Sequence, residues 1–199
     1  PNNEIGYLSI DNAGTVWAST NEGIARYNRS AFLPWKKWTS YTYEDGLASN
    51  ETKPIFADVN GESVWVGTAE GLSHLDIASG DWKTYTTKNG LVSNYVYTIA
   101  STPENVMWFG TRYGISRLEL DTGKWDVYQT DTPALVYGEK KRPIITTQEG
   151  DIWVGLQNQG IAHYDRKMWD IHTPNDGLAS NTTEAIAVTS NSTVWVGSW

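Results

Sequence analysis

The sequence predicts an all-β fold, a β-propeller built of four-stranded antiparallel blades. Two observations predict it. The first is a motif, Val64-Trp65-Val66-Gly67-Thr68 running on to Gly71-Leu72, that returns four more times. The copies are Val16-Trp17-Ala18-Ser19-Thr20, Met107-Trp108-Phe109-Gly110-Thr111, Ile152-Trp153-Val154-Gly155-Leu156 and Val194-Trp195-Val196-Gly197-Ser198. Their tryptophans lie 48, 43, 45 and 42 residues apart. A unit of that length is too small to bury a core alone and must stack on its neighbours. The second observation is that every copy is flanked by short β-rich runs broken by turn residues, with no sustained helical period. A flat sandwich would not repeat its motifs at a fixed interval, whereas radial blades do.

Taken in order, each unit reads as four strands. The first is an apolar run such as Tyr7-Leu8-Ser9-Ile10 or Tyr97-Thr98-Ile99-Ala100. It ends in a polar turn, for example Asp11-Asn12-Ala13-Gly14 or Asn60-Gly61-Glu62, whose residues favour a hairpin. The second strand carries the Trp-Val-Gly core. A short loop closing on Gly23, Gly71, Gly114 or Gly160 leads into the third strand, which alternates apolar and polar residues as a half-buried strand does. The fourth strand opens on a second tryptophan, Trp38, Trp82, Trp125 or Trp169, followed by a Tyr-Thr-like tail. These are spaced 44, 43 and 44. Trp35 and Trp199 fall outside both registers and are candidates for exposed stacking.

A third recurring piece joins the units. It reads Asp45-Gly46-Leu47-Ala48-Ser49-Asn50, then Asn89-Gly90-Leu91-Val92-Ser93-Asn94, then Asp176-Gly177-Leu178-Ala179-Ser180-Asn181. Asp-Gly and Asn-Gly form turns because both residues tolerate positive φ. The leucine is expected to pack back between blades, and the Ser-Asn pair to bond the local backbone. The remaining copy is replaced by Thr132-Pro133-Ala134-Leu135-Val136-Tyr137-Gly138.

The connector, the Val-Trp-Val-Gly-Thr core, the Gly-Leu-Ser strand and the Trp-x-x-Tyr strand, in that order, resemble the two-component regulator propeller repeat. The match spans essentially the whole chain, with departures at Ala18-Ser19 and at the lost connector. The resemblance implies a non-catalytic extracytoplasmic propeller. In that family such propellers commonly form the sensor part of membrane-bound regulatory kinases, several of which recognise saccharides; others occur in secreted or surface proteins. No kinase signature or membrane span is present to carry the kinase role over to this chain.

The domain reading follows as a single partial propeller over 1–199. Its blades run approximately 1–44, 45–88, 89–131, 132–175 and an incomplete 176–199. Four blades and a half leave open flanks, a liability for edge pairing. The segment is therefore read as part of a ring of about seven blades.

Composition removes other classes. The chain has 23 Asp and Glu against 15 Lys and Arg, a formal charge of −8. That balance disfavours nucleic acid and anionic membranes, which need clustered cations. Lys140-Lys141-Arg142 is the one basic cluster and reads as a solvated loop. With no cysteine there is neither a disulfide nor a thiolate metal site. No run reaches the ~18 apolar residues of a membrane span. The first residue is Pro1 rather than Met, which suggests processing or excision. Four Asn-x-Ser/Thr sequons, at Asn28, Asn50, Asn181 and Asn191, are close to chance for this composition.

Candidate functional residues are those that vary inside the constant frame. His74 and His163 share a strand position with Arg26 and Arg117, so they read as solvent-facing or blade-edge groups rather than metal ligands. No serine nucleophile context and no calcium loop is present. The loops between second and third strands open on the same face as the connectors. That face collects Asn21 and Glu22, Ala69 and Glu70, Arg112 and Tyr113, and Gln157, Asn158 and Gln159. At the entrance of the innermost strand it adds Glu51 and Lys53, Tyr95 and Tyr97, Lys140 and Arg142, Thr182 and Glu184. The predicted binding set is Glu22, Glu70, Arg112, Tyr113, Asn158, Gln159, Lys53, Tyr97, Arg142 and Glu184. Such a funnel of polar side chains suits a polar small molecule, a saccharide or another protein. No cofactor and no metal is expected. The alternatives are a lyase or hydrolase with its site at the channel mouth, and a structural part of a surface assembly.

Overall fold

The computed structural model describes residues 4–29, 31–33, 37–129, 143–156 and 158–198. The strands form four four-stranded antiparallel sheets and one two-stranded sheet. The first holds β1 (Tyr7–Ile10), β2 (Val16–Thr20), β3 (Gly23–Tyr27) and β4 (Trp38–Tyr41), in that spatial order. The second holds β5 (Thr52–Ala57), β6 (Ser63–Thr68), β7 (Leu72–Asp76) and β8 (Trp82–Tyr85). The third holds β9 (Val96–Thr102), β10 (Val106–Thr111), β11 (Gly114–Glu119) and β12 (Trp125–Gln129). The fourth holds β13 (Ile144–Thr146), β14 (Ile152–Gly155), β15 (Ile161–Tyr164) and β16 (Trp169–His172). The half blade is β17 (Thr183–Val188) paired with β18 (Val194–Ser198). All five tryptophan motifs thus lie on second strands, as the repeat predicts. The lost connector, the basic cluster, Trp35, Trp199, Gln157 and Arg142 lie outside the described residues.

The packing divides the chain into two compact units, residues 1–89 with 94–99, and residues 90–93 with 100–199. In the first unit a hydrophobic core joins the first two blades. Trp17, Ile24 and Leu47 meet Ile55, Ala57, Val64, Val66 and Leu75 there, with Tyr41, Ile77 and Trp82 packed against them. In the second unit Trp108, Phe109, Ile115, Leu118, Ile152, Val154, Leu156 and Ile161 are buried.

Each connector works as a seam. Thr42 donates from both its backbone N and Oγ1 to Asp45 Oδ2, at 2.7 and 3.0 Å. Asn50 Oδ1 accepts from the Tyr43 N–H at 2.6 Å. Thr86 with Asn89, Thr87 with Asn94, and Thr173 with Asp176 repeat this chemistry. The acidic or amide residue therefore serves as an acceptor for the preceding turn. It does not itself take positive φ, unlike the glycine after it. The leucine is buried as expected at Leu47 and Leu91. The next backbone N–H reaches a serine on a neighbouring third strand, Ala48 to Ser73 Oγ at 2.8 Å and Val92 to Ser116 Oγ at 2.9 Å.

The second strands of the first three blades also end in the same contacts. Thr20, Thr68 and Thr111 donate from Oγ1 to the carbonyls of Gly23, Gly71 and Gly114, at 2.8, 2.9 and 2.9 Å. The seam then closes on that turn. Gly23 N donates to Asn50 O at 2.8 Å, and Thr52 Oγ1 donates to Thr20 O at 2.6 Å. In the second unit Gly160 N donates to Asn181 O, and Thr183 Oγ1 to Gly160 O. These bonds place connectors and β2–β3-type turns at one end of the blade.

Within each four-stranded blade the second-strand tryptophan meets two side chains. Its cross-strand partner is Arg26, His74, Arg117 or His163. Arg26 and Arg117 lie over Trp17 and Trp108 at 5.2 and 5.8 Å. His74 and His163 stack on Trp65 and Trp153 at 4.0 and 4.1 Å. The fourth strand adds Tyr41, Tyr85, Tyr128 or His172, each stacked on the same indole at 5.5 to 6.0 Å. This corrects the expectation that the Arg/His position is a solvent-facing edge. Both residue types offer a flat cation or imidazole that covers an indole, which is why they interchange. Burial against Trp65 holds the His74 imidazole below its ordinary pKa, partly countered by Asp76.

Gly46 makes the seam possible, since a Cβ there would stand 2.6 Å from Trp82 Cβ, and its φ is +120°. Gly177 occupies the same connector position at φ +102°, with nothing within 4 Å among the described residues. The pair separates backbone strain from steric clash. Gly46→Ala is expected to cost about 3 kcal/mol, with overpacking added to the strain, and Gly177→Ala about 1 kcal/mol. Thermal unfolding of the two variants will check this, with the Gly46→Ala midpoint lower by several degrees; equal midpoints would refute the Trp82 contact as the cause.

Candidate functional site

The candidate site sits at the connector end of the first unit. There the entrance of β5 meets the residues leading into β9. The seam explains its placement. Asn50 and Thr52 are tied into the preceding turn, so the residues between and after them, Glu51 and Lys53, are held at the blade mouth. Asn94 caps Thr87 in the same way and fixes Tyr95 and Tyr97.

Four side chains gather there. Lys53 Nζ donates to Glu51 Oε1 at 2.7 Å and lies 4.9 Å from the Tyr95 ring centre. The Tyr95 and Tyr97 rings are 4.8 Å apart and tilted by 47°. Partial burial pulls the Lys53 ammonium down, but hydrogen bonds to Glu51 and Tyr95 outweigh it and hold the group above its ordinary value. The result is a fixed cation, a carboxylate and two half-buried phenol rings on one patch. Such a set can stack on an apolar ring face while bonding its polar substituents.

Lys53 and Tyr97 are thus brought together through Tyr95. In the second unit Asn158, at φ +58°, accepts from Thr182 Oγ1 at 3.2 Å. Gln159 beside it has a buried Oε1 without a partner among the described residues. Arg112 lies over the Tyr113 ring at 5.6 Å, and Tyr113 is exposed. Glu22 and Glu70 are exposed, their backbone N–H groups bound by Thr20 and Thr68. Glu184 is exposed at the start of β17. Arg142 lies outside the described residues. Sequence reasoning passed over Thr52 and Thr183, which stitch the mouth. Their only signal is the threonine two residues after the connector asparagines Asn50 and Asn181.

Residues 90–113 match the family model for the two-component regulator propeller. The chain carries a regulator-propeller repeat. The matched stretch runs from a connector through β10 to the Arg112-Tyr113 turn and includes Tyr95 and Tyr97.

No curated protein matches the chain. Among solved structures, the extracellular domain assigned to a one-component system of B. thetaiotaomicron is similar at 19% identity and a TM-score of 0.71, over 98% of this chain and 26% of its own. The extracellular domain assigned to a hybrid two-component system of the same organism gives 21% and 0.56, over 99% and 32%. PorZ, a surface component of the type-IX secretion system of Porphyromonas gingivalis, gives 18% and 0.69, over 97% and 30%. At these identities the likeness is one of fold, and the chain spans about a quarter to a third of each structure's length. No helix among the described residues is long and apolar enough to cross a membrane.

The balance at Lys53 can be tested directly. In Glu51→Gln the ion pair is lost while the burial remains, so the Lys53 pKa should fall. A carbon-13 NMR titration of the lysine side chain reads this, and an unchanged value would show that the pair is not formed in solution.

Proposed function

We propose that this chain is part of a non-catalytic, extracytoplasmic binding propeller that takes a polar, saccharide-like ligand at the connector end of its blades. The Glu51, Lys53, Tyr95 and Tyr97 cluster carries this reading. Two adjacent phenol rings offer an apolar stacking face, and the Lys53–Glu51 pair offers donors and acceptors to hydroxyl groups at its edge. The seam bonds hold these side chains in place before a ligand arrives, so little ordering cost falls on binding. Glu22 and Glu70 lie on turns of the same kind in the first unit, and Arg112, Tyr113, Asn158, Gln159 and Glu184 hold the corresponding turn and strand-entrance positions in the second. The extracellular setting of the structural neighbours supports the location.

Glycan-array screening of the chain, followed by calorimetry, tests the site. Tyr95→Ala and Tyr97→Ala should each weaken binding of a hit about tenfold or more, in keeping with the loss of an aromatic anchor. Absence of any glycan binding, or hits indifferent to both substitutions, would overturn the reading.

Exposed blade flanks support a second reading, that the chain is part of a larger ring. Ile55 and Ala57 of β5 are buried against the first blade, whereas their β1 counterparts Leu8 and Ile10 are 60% and 62% exposed. Trp195 is 66% exposed, although Trp17, Trp65 and Trp108 in the same motif are buried. We propose that further blades of a ring of about seven cover these flanks. Light scattering should then find the isolated 199-residue chain self-associating, and Leu8→Glu with Ile10→Glu should suppress it; a monodisperse monomer with both flanks intact would count against the proposal.

A further inference from the structure

The second unit contains a cavity of about 160 Å³ between its third and fourth blades. It lies at the opposite end from the connectors, among the β9–β10, β13–β14 and β15–β16 turns. Comparison with the joint between the first two blades explains why it is polar. The repeat register equates Trp17 with Trp108, Arg26 with Arg117, Leu75 with Tyr164, and Ile77 with Arg166. Ala13, beside the left-handed Gly14, corresponds to Glu104, beside the left-handed Asn105. In the first joint Leu75 and Ile77 are part of the apolar packing around Trp17. In the second, Glu104, Tyr164 and Arg166 bring polar atoms to one space together, while Trp108 and Arg117 keep the frame.

The new side chains are not used up by one another. Arg166 stands at φ +73°, a conformation that costs a non-glycine residue about 1 kcal/mol or more. The equivalent hairpins of the second and third blades place Gly80 and Gly123 in that region. Its guanidinium lies 3.9 Å from Glu104 Oε1 and 3.8 Å from Asp151 Oδ1, beyond hydrogen-bond length in both cases. Arg117, by contrast, is neutralised, its Nη1 donating to Glu119 at 2.7 Å and Asp126 at 2.8 Å. Gly150 leaves room for the Glu104 carboxylate, since a Cβ there would stand 2.7 Å from Oε1. The buried indole N–H of Trp108, which forms part of the wall, has no acceptor among the described residues.

We propose that this cavity binds a small zwitterion of the α-amino acid type. The rim presents one loosely paired cation and one carboxylate, Arg166 and Glu104, spaced to receive a carboxylate and an ammonium on neighbouring atoms. The inner wall of Val106, Trp108 and Tyr164 receives a short apolar side chain. A simple anion would meet Glu104 and Asp151, and a simple cation would meet Arg166. The volume lies below the ~300 Å³ at which drug-sized sites begin, so one small molecule fits and an oligosaccharide does not. This site is separate from the connector-end cluster and does not depend on it.

Calorimetry of the full chain with L-valine tests the proposal, with N-acetyl-L-valine and L-valinamide lacking one charge each. Valine should bind, and each blocked analogue should bind at least tenfold more weakly. Glu104→Gln and Arg166→Gly should each weaken valine at least tenfold; the glycine relieves the left-handed backbone, so folding is preserved. Tyr97→Ala should leave valine binding unchanged, which separates this site from the saccharide reading. No valine binding at millimolar concentration, equal binding of the acetylated or amidated analogue, or indifference to both substitutions would overturn it.

Discussion

A tryptophan on the second strand of each four-stranded blade gathers one side chain from the third strand and one from the fourth, and the blade is arranged around these contacts. An Arg or His meets the indole directly across the β2–β3-type ladder, at 4.0 to 5.8 Å. The fourth strand brings a Tyr or His to 5.5 to 6.0 Å. Aromatic pairs of this geometry contribute about 0.5–1.5 kcal/mol beyond burial, and the cation–π contacts a similar amount. The contribution recurs in four blades.

Joining blades imposes a separate requirement, close backbone approach. The glycine ending the Trp-Val-Gly run, Gly67 or Gly155, has neighbouring side chains at about 3 Å from where a Cβ would be, from Pro54 and Val96 or from Pro143 and Thr183. The connector glycines meet the fourth-strand tryptophans Trp82 and Trp125 in the same way. Asp, Leu, Ser and Asn of the connector each have a bond or a pocket of their own. Almost nothing in the motif is left over for a ligand. Variation is therefore confined to positions the seam holds but does not use, such as Glu51, Lys53, Tyr95 and Tyr97 at one end of the blades, and Glu104, Tyr164 and Arg166 at the other.

That division accounts for what was legible beforehand. The blades, their strand boundaries and the burial of Leu47 and Leu91 follow from local periodicity and turn chemistry, and the regulator-propeller repeat from the resemblance of its motifs to that family. The variable positions were legible too, because a repeat reveals where its copies disagree. Their partnerships were not. The Lys53, Tyr95 and Tyr97 patch draws on two blades, and its contacts cross some forty residues of chain. The Arg/His position reads as an exposed edge in one strand, and only the ladder register sets it over an indole.

The sequence by itself determined the architecture, because each motif encodes contacts with the strand beside it or with the next repeat at a nearly constant interval. Only the tertiary structure decided which polar residues converge. The substitutions that open the cavity beside Trp108 lie on two blades, Glu104 in the β9–β10 turn and Tyr164 with Arg166 at the end of β15, and no repeat spacing links Glu104 to the other two. Convergence of that kind depends on how two sheets face each other, a distance that a linear repeat does not contain.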